Sequence, residues 1–72
     1  MRVRIRLETV RDANELAEIA SKTEGRVVIS DGSGLCVNAK SVLGALHALE
    51  FNDLWCESEK NIFAEIRKFV VE

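Results

Sequence analysis

The sequence predicts an α+β fold of order βαββαβα, an open-faced two-layer sandwich in which an antiparallel four-stranded sheet carries its helices on one face. Three observations predict it. Residues Met1 to Glu8 alternate strictly between apolar and charged side chains, the period-two pattern of a half-buried strand. Asp31-Gly32-Ser33-Gly34 separates two β-prone runs with the residues that tolerate the positive φ angles of hairpin turns. Apolar residues recur at helical spacing in three separate stretches, each behind a residue able to cap a helix.

Each element follows in order. In the first strand Val3, Ile5 and Leu7 share one side, and Arg2, Arg4, Arg6 and Glu8 the other. The first helix is expected from about Ala13 to Thr23, with Ala13, Leu16, Ala17, Ile19 and Ala20 at helical spacing. Asp12 and Glu15 stand three apart as an Asp variant of the capping box. Gly25 is placed to stop this helix in a left-handed cap, and Arg26 to Ser30 is short and β-branched. On the third strand Leu35, Val37 and Ala39 are expected inward, with Cys36 and Asn38 opposite. Ser41 is placed to cap a second helix carrying Val42, Leu43, Ala45, Leu46 and Leu49. A fourth strand is expected around Asp53 to Glu57, with Leu54 and Cys56 inward and Trp55 outward. Ser58 then caps a last helix bearing Ile62, Phe63, Ile66, Phe69 and Val70.

Composition narrows the function. With 72 residues, 47% hydrophobic and 31% charged, the chain is read as one domain, 1–72, with one thin core, and falls outside the low-hydrophobicity regime of disorder. A net charge of -2 withholds the positive field that favours non-specific nucleic-acid binding. No window approaches the roughly 18 apolar residues of a membrane span, and Met1-Arg2-Val3-Arg4 opens a strand pattern where a signal peptide would be apolar. A cytoplasmic location is the expectation, with neither nucleic acid nor membrane as partner. Two cysteines and one histidine do not complete a zinc set, so no metal and no cofactor is expected. Gly32-Ser33-Gly34 is followed directly by no helix and so is not read as a phosphate loop. No nucleophile-base pair or acid pair can be assembled from the spacing, which argues against an enzyme.

The stretch Val37-Asn38-Ala39-Lys40-Ser41-Val42-Leu43-Gly44-Ala45-Leu46 resembles the strand-to-helix segment of HPr, the histidine-containing phosphocarrier family of the bacterial sugar phosphotransferase system. Ala20-Ser21-Lys22, followed by a strand, is similar to the end of that family's first helix. The resemblance implies that the first strand lies beside the fourth; a ferredoxin-like domain of similar element order would place it beside the third. In the family a histidine at the start of the first helix relays phosphate, followed by an arginine and then a proline. Ungapped alignment on Ala20-Ser21-Lys22 puts Thr9, Arg11 and Asp12 at those three positions. Only the arginine is retained, and a phosphothreonine is a stable ester that cannot serve as the relay. The carboxylate of Asp12 is expected to accept from the free amides of the first helical turn, where the family binds an anion.

Ser41 matches a serine that a dedicated kinase phosphorylates in many members, which makes it a candidate phosphorylation site; its other reading is a helix cap stabilising by about 1 kcal/mol. Lys40, Val42, Leu43, Leu46 and His47 correspond to the surface on which the family meets its protein partners, although the apolar members of this group could equally be core. No serine, cysteine or carboxylate is fixed near His47 by local spacing. The expectation is an HPr-like, non-catalytic binding or regulatory protein with phosphotransferase-system or regulatory proteins as partners. The alternatives are a divergent phosphocarrier and a small ligand-binding or oligomerisation module. If the first and fourth strands pair, an arginine of the first can stack on Trp55, and the open face around that ring is a candidate homodimer surface.

Overall fold

The computed structural model describes residues 1–71. The elements are β1 (Arg2–Ile5), α1 (Val10–Ser21), β2 (Val27–Ser30), β3 (Cys36–Asn38), α2 (Val42–Ala48), β4 (Leu54–Ser58) and α3 (Phe63–Ile66), which passes into a single 3-10 turn at Arg67–Phe69. The sheet is four-stranded in the order β1-β4-β2-β3, and every neighbouring pair is antiparallel. β1 therefore lies beside β4, as expected, and not beside β3.

The register separates the two faces. Val3 stands opposite Cys56 and Ile5 opposite Leu54, while Ile29 lies between Cys56 and Val37. These residues pack into one cluster with Ala13, Leu16, Ala17 and Ala20 of α1, Ala45 and Ala48 of α2, and Ile66 and Phe69 beyond β4. Antiparallel strands solvated on one side need such alternation. The opposite face carries Arg2 and Arg4 of β1 across from Glu57 and Trp55 of β4. There Arg2 lies over the Trp55 ring at 4.1 Å and its Nε is 3.4 Å from Glu57, while Arg4 reaches Asp53 at 2.7 Å. Charge-bearing side chains thus roof the sheet where no helix does.

The turns explain themselves chemically. Gly25, Gly32 and Gly34 have φ of 85°, 84° and 113°, values that side chains with a Cβ resist. The Asp31 carboxylate accepts from the amides of Ser33 at 2.8 Å and Leu35 at 3.2 Å. The Ser33 bond is the chief reason its carboxyl is held below the ordinary range. The two cysteines are free; Cys36 is exposed and Cys56 buried, and burial pushes the Cys56 thiol up to about 11.

Four expectations need correction. Helix α1 begins at Val10, and its N-cap is Thr9, not Asp12. Thr9 and Asp12 have the same three-residue spacing as Asp12 and Glu15, and the hydroxyl accepts more readily from a backbone amide here because Asp12 is already inside the helix. Leu35 is 50% exposed because it precedes β3 and its amide is tethered to Asp31. Ser58 ends β4 instead of capping a helix, and the N-cap of α3 is Ile62, which offers no side-chain bond. Its last helix is also shorter than the apolar repeat implies. Ile62, Ile66 and Phe69 are buried as the repeat requires, but Phe63 is 42% exposed and Val70 forms a bridge to Ile5 of β1. Backbone bonds from Arg6 N–H to Phe69 O at 2.8 Å and from Val71 N–H to Arg4 O at 2.9 Å draw the chain out of the helix and along the β1 edge, an outcome helical periodicity cannot register.

Candidate functional site

The topology fixes where the two helix openings stand. β1 and β2 both run antiparallel to β4, so α1, joining parallel strands, starts at the end of the sheet where β1 finishes. β3 runs antiparallel to β2, so α2 starts at the opposite end and runs back. Thr9 and Ser41 therefore mark opposite ends of two adjacent helices of opposite direction, and Thr9, Arg11 and Asp12 are not gathered around Ser41.

At the α1 opening, Thr9 Oγ1 accepts from the Asp12 amide at 3.1 Å. The Asp12 carboxylate turns back and accepts from the Glu8 amide at 3.0 Å, upstream of the helix. It does not take the first-turn amides as expected; it reaches back past the Thr9 cap to the amide of the residue before it. Arg11 is drawn along the helix to Glu15 at 3.4 Å, one turn on and away from the opening. Glu15 is also held by Lys68, whose hydrogen bond is the chief cause of a carboxyl lying below its ordinary value. A cleft of about 350 Å³ beside the opening is lined by Arg6 and Lys68 together with Glu8 and Asp12. Its charges are balanced, and its carboxylates oppose an incoming anion.

At the α2 opening, Ser41 Oγ accepts from the Gly44 amide at 3.3 Å, the cap expected of it. No acid lies in the first turn of α2. A Cβ at Gly44 would stand 2.4 Å from Asn38 O, so only glycine lets the helix close down on the end of β3. Lys40 follows Asn38, whose side-chain oxygen accepts from the Lys40 amide at 2.9 Å. Val42 is 51% and Leu43 79% exposed, whereas Ala45 and Ala48 are fully buried. Leu46 is partly buried against the core. The helix is too short to bury all its apolar residues in one stripe, and the excess faces outward.

His47 lies in the last turn of α2. Its ring is 5.8 Å from that of Phe51, and its Nε2 is 3.7 Å from Glu50. A carboxylate therefore does stand beside it, one helical turn on, at a spacing the sequence reading passed over. Among the described residues, His47 has no hydrogen bond to Thr9, Arg11 or Asp12.

Sequence reasoning missed two features of this region. Val10 is exposed at the first position of α1; it sits one turn before Ala13 on the apolar stripe, so periodicity alone assigns it inward. Lys68 closes onto Glu15 from the far end of the chain, and no local pattern carries that pairing. Among the described residues, no group of three or more His, Cys, Asp or Glu is placed to hold a metal ion, and no helix is long and apolar enough to cross a membrane. In comparisons with known proteins, no family model, no curated protein and no solved structure matches this chain.

Proposed function

We propose that the chain is an HPr-like, non-catalytic binding or regulatory protein of the bacterial cytoplasm that does not relay phosphate. One observation carries the reading: at the opening of α1, Thr9 caps the Asp12 amide and the Asp12 carboxylate folds back to Glu8. A phosphorelay needs an imidazole at that place, because a phosphorylated ring nitrogen transfers readily and a phosphate ester of threonine does not. Asp12 also places negative charge where the relay would receive an anion. The pairing of β1 with β4 and the exposed Val42 and Leu43 on α2 support the same reading, with Lys40, Val42, Leu43, Leu46 and His47 as the surface offered to a protein partner.

Ser41 is the regulatory position in this proposal. A phosphoryl group there adds about -1.5 to -2 charges beside Lys40 and next to the exposed Val42 and Leu43, which changes the partners that can dock. The test is incubation of the chain with enzyme I of a sugar phosphotransferase system and labelled phosphoenolpyruvate. The expected outcome is no acid-labile label, and acid-labile label on His47 would make the chain a divergent phosphocarrier.

A further inference from the structure

The turn between β2 and β3 holds a chemically fragile bond. Gly32 is the only glycine of the chain that follows an Asp or Asn; the other residues of those types are followed by Ala13, Glu15, Ala39, Asp53, Leu54 and Ile62. The backbone nitrogen after an aspartate can attack the side-chain carboxyl, and a glycine nitrogen does so most easily because no Cβ crowds its approach.

Both reacting groups are occupied in the fold. Gly32 N–H donates to Ser30 Oγ at 3.1 Å, and Ser30, at the end of β2, is buried. Asp31 Oδ1 accepts from the Ser33 amide at 2.8 Å and the Leu35 amide at 3.2 Å. The Ser33 bond above all holds the Asp31 carboxyl below its ordinary range, and the ionised form is the poorer electrophile because water cannot leave from it. A Cβ at Gly32 would stand 3.2 Å from Trp55 Nε1, so the indole lies against the turn and limits its movement.

We infer that Asp31 is a site of spontaneous backbone isomerisation and that the folded turn guards it, with Ser30 holding the attacking amide and Ser33 and Leu35 holding the carboxyl. When the turn opens, the Gly32 nitrogen bonds to Asp31 Cγ, and one carboxyl oxygen leaves as water with the carboxyl proton and the amide proton. Hydrolysis of the five-membered imide returns one water and leaves the chain running through the side-chain carbon, with no net change of mass. The product has one more main-chain carbon, which disturbs the closing bond from Asp31 N–H to Leu35 O at 3.0 Å. β3 has β2 as its only neighbour in the sheet, and α2 rests on Asn38 through Gly44, so isomerisation loosens β3 and the seat of α2 together. This inference is independent of the proposed family.

The test is prolonged storage of the chain in mildly acidic buffer, where deamidation of asparagine is slow, beside the same chain unfolded in guanidinium chloride. Peptide mapping at unchanged mass counts the β-aspartyl product at each aspartate. In the unfolded chain Asp31 should convert faster than Asp12 and Asp53. In the folded chain its conversion should be about tenfold slower, the weight of releasing the hydrogen bonds that hold the two groups. Ser30→Ala, in a variant whose amide dispersion stays native, should convert about threefold faster than the folded parent, the weight of one such bond. Equal rates in the folded and unfolded chain, faster conversion at Asp12 or Asp53 than at Asp31 once unfolded, or an unchanged rate in folded Ser30→Ala would overturn it.

Discussion

Helix α1 and helix α2 both open on a hydroxyl cap, yet they differ in what holds them and in what they leave exposed. α1 is anchored over 12 residues by a buried stripe of Ala13, Leu16, Ala17 and Ala20, and its charged side chains close on one another and on Lys68. α2 spans 7 residues, rests on two buried alanines and the close approach at Gly44, and turns Val42 and Leu43 outward. The difference shows how one small domain divides its polar and apolar groups between two helices. At the α1 opening Thr9 caps the Asp12 amide and the Asp12 carboxylate is held by the Glu8 amide, whereas at the opposite end of the helix pair the α2 opening leaves apolar surface exposed, which monomeric proteins keep small unless it serves an interaction.

The sharpest contrast is between apolar residues of equal size. Leu16→Ala should lower stability by about 2 to 5 kcal/mol, the cost of an unfilled core site. Leu43→Ala should stay within about 0.5 kcal/mol, as for other exposed positions. Urea unfolding of both variants checks this, and similar losses would erase the distinction between anchored and outward-facing leucines. Next in size is Gly44→Ala. A methyl 2.4 Å from Asn38 O forces α2 away from β3, so a net loss of about 1 to 3 kcal/mol is expected even though alanine is otherwise the better helix former by about 1 kcal/mol. A stabilised variant would mean that α2 is not pinned there.

The smallest effect is electrostatic and belongs to α1 alone. Lys68 holds the Glu15 carboxyl below its ordinary value of 4.5, so the folded chain binds fewer protons in acid than the unfolded chain does. That stabilisation is present above the unfolded value and is lost as pH falls through the folded one. Glu15→Gln should therefore flatten the acid side of the stability profile and leave its neutral-to-alkaline side parallel to that of the parent. Because the pair is solvent-exposed the change is small and should shrink in added salt.

Much of this architecture was legible in the sequence because it is written in local chemistry. The β1 alternation, the Asp31-Gly32 turn, the Ser41 cap and the inward Leu54 and Cys56 all depend on near neighbours. So does the glycine after Val42-Leu43, although its reason emerges only when Asn38 O is seen against it. The expected Gly25 cap does not form, because α1 already ends at Ser21 with Lys22 as its right-handed C-cap. The errors arose where a distant segment competes with local preference. The last helix yields to the β1 edge at Val70, and Glu15, read as a capping partner of Asp12, is instead bound by Lys68 and Arg11. At the candidate site the α2 residues and the Ser41 cap fall where expected, but Arg11 and Asp12, expected ahead of the first helix, lie inside α1, and the direction of the Asp12 carboxylate was misread because two overlapping capping boxes share that residue.

The account turns on the α1 opening having no appetite for an anion, and inorganic phosphate titrated into the 15N-labelled chain measures that directly. The amides of Val10, Arg11 and Asp12 should show no saturable shift up to tens of millimolar phosphate at constant ionic strength. A saturable shift confined to those three amides would contradict the account, because it would mean that the anion site remains in working order despite Thr9 and Asp12.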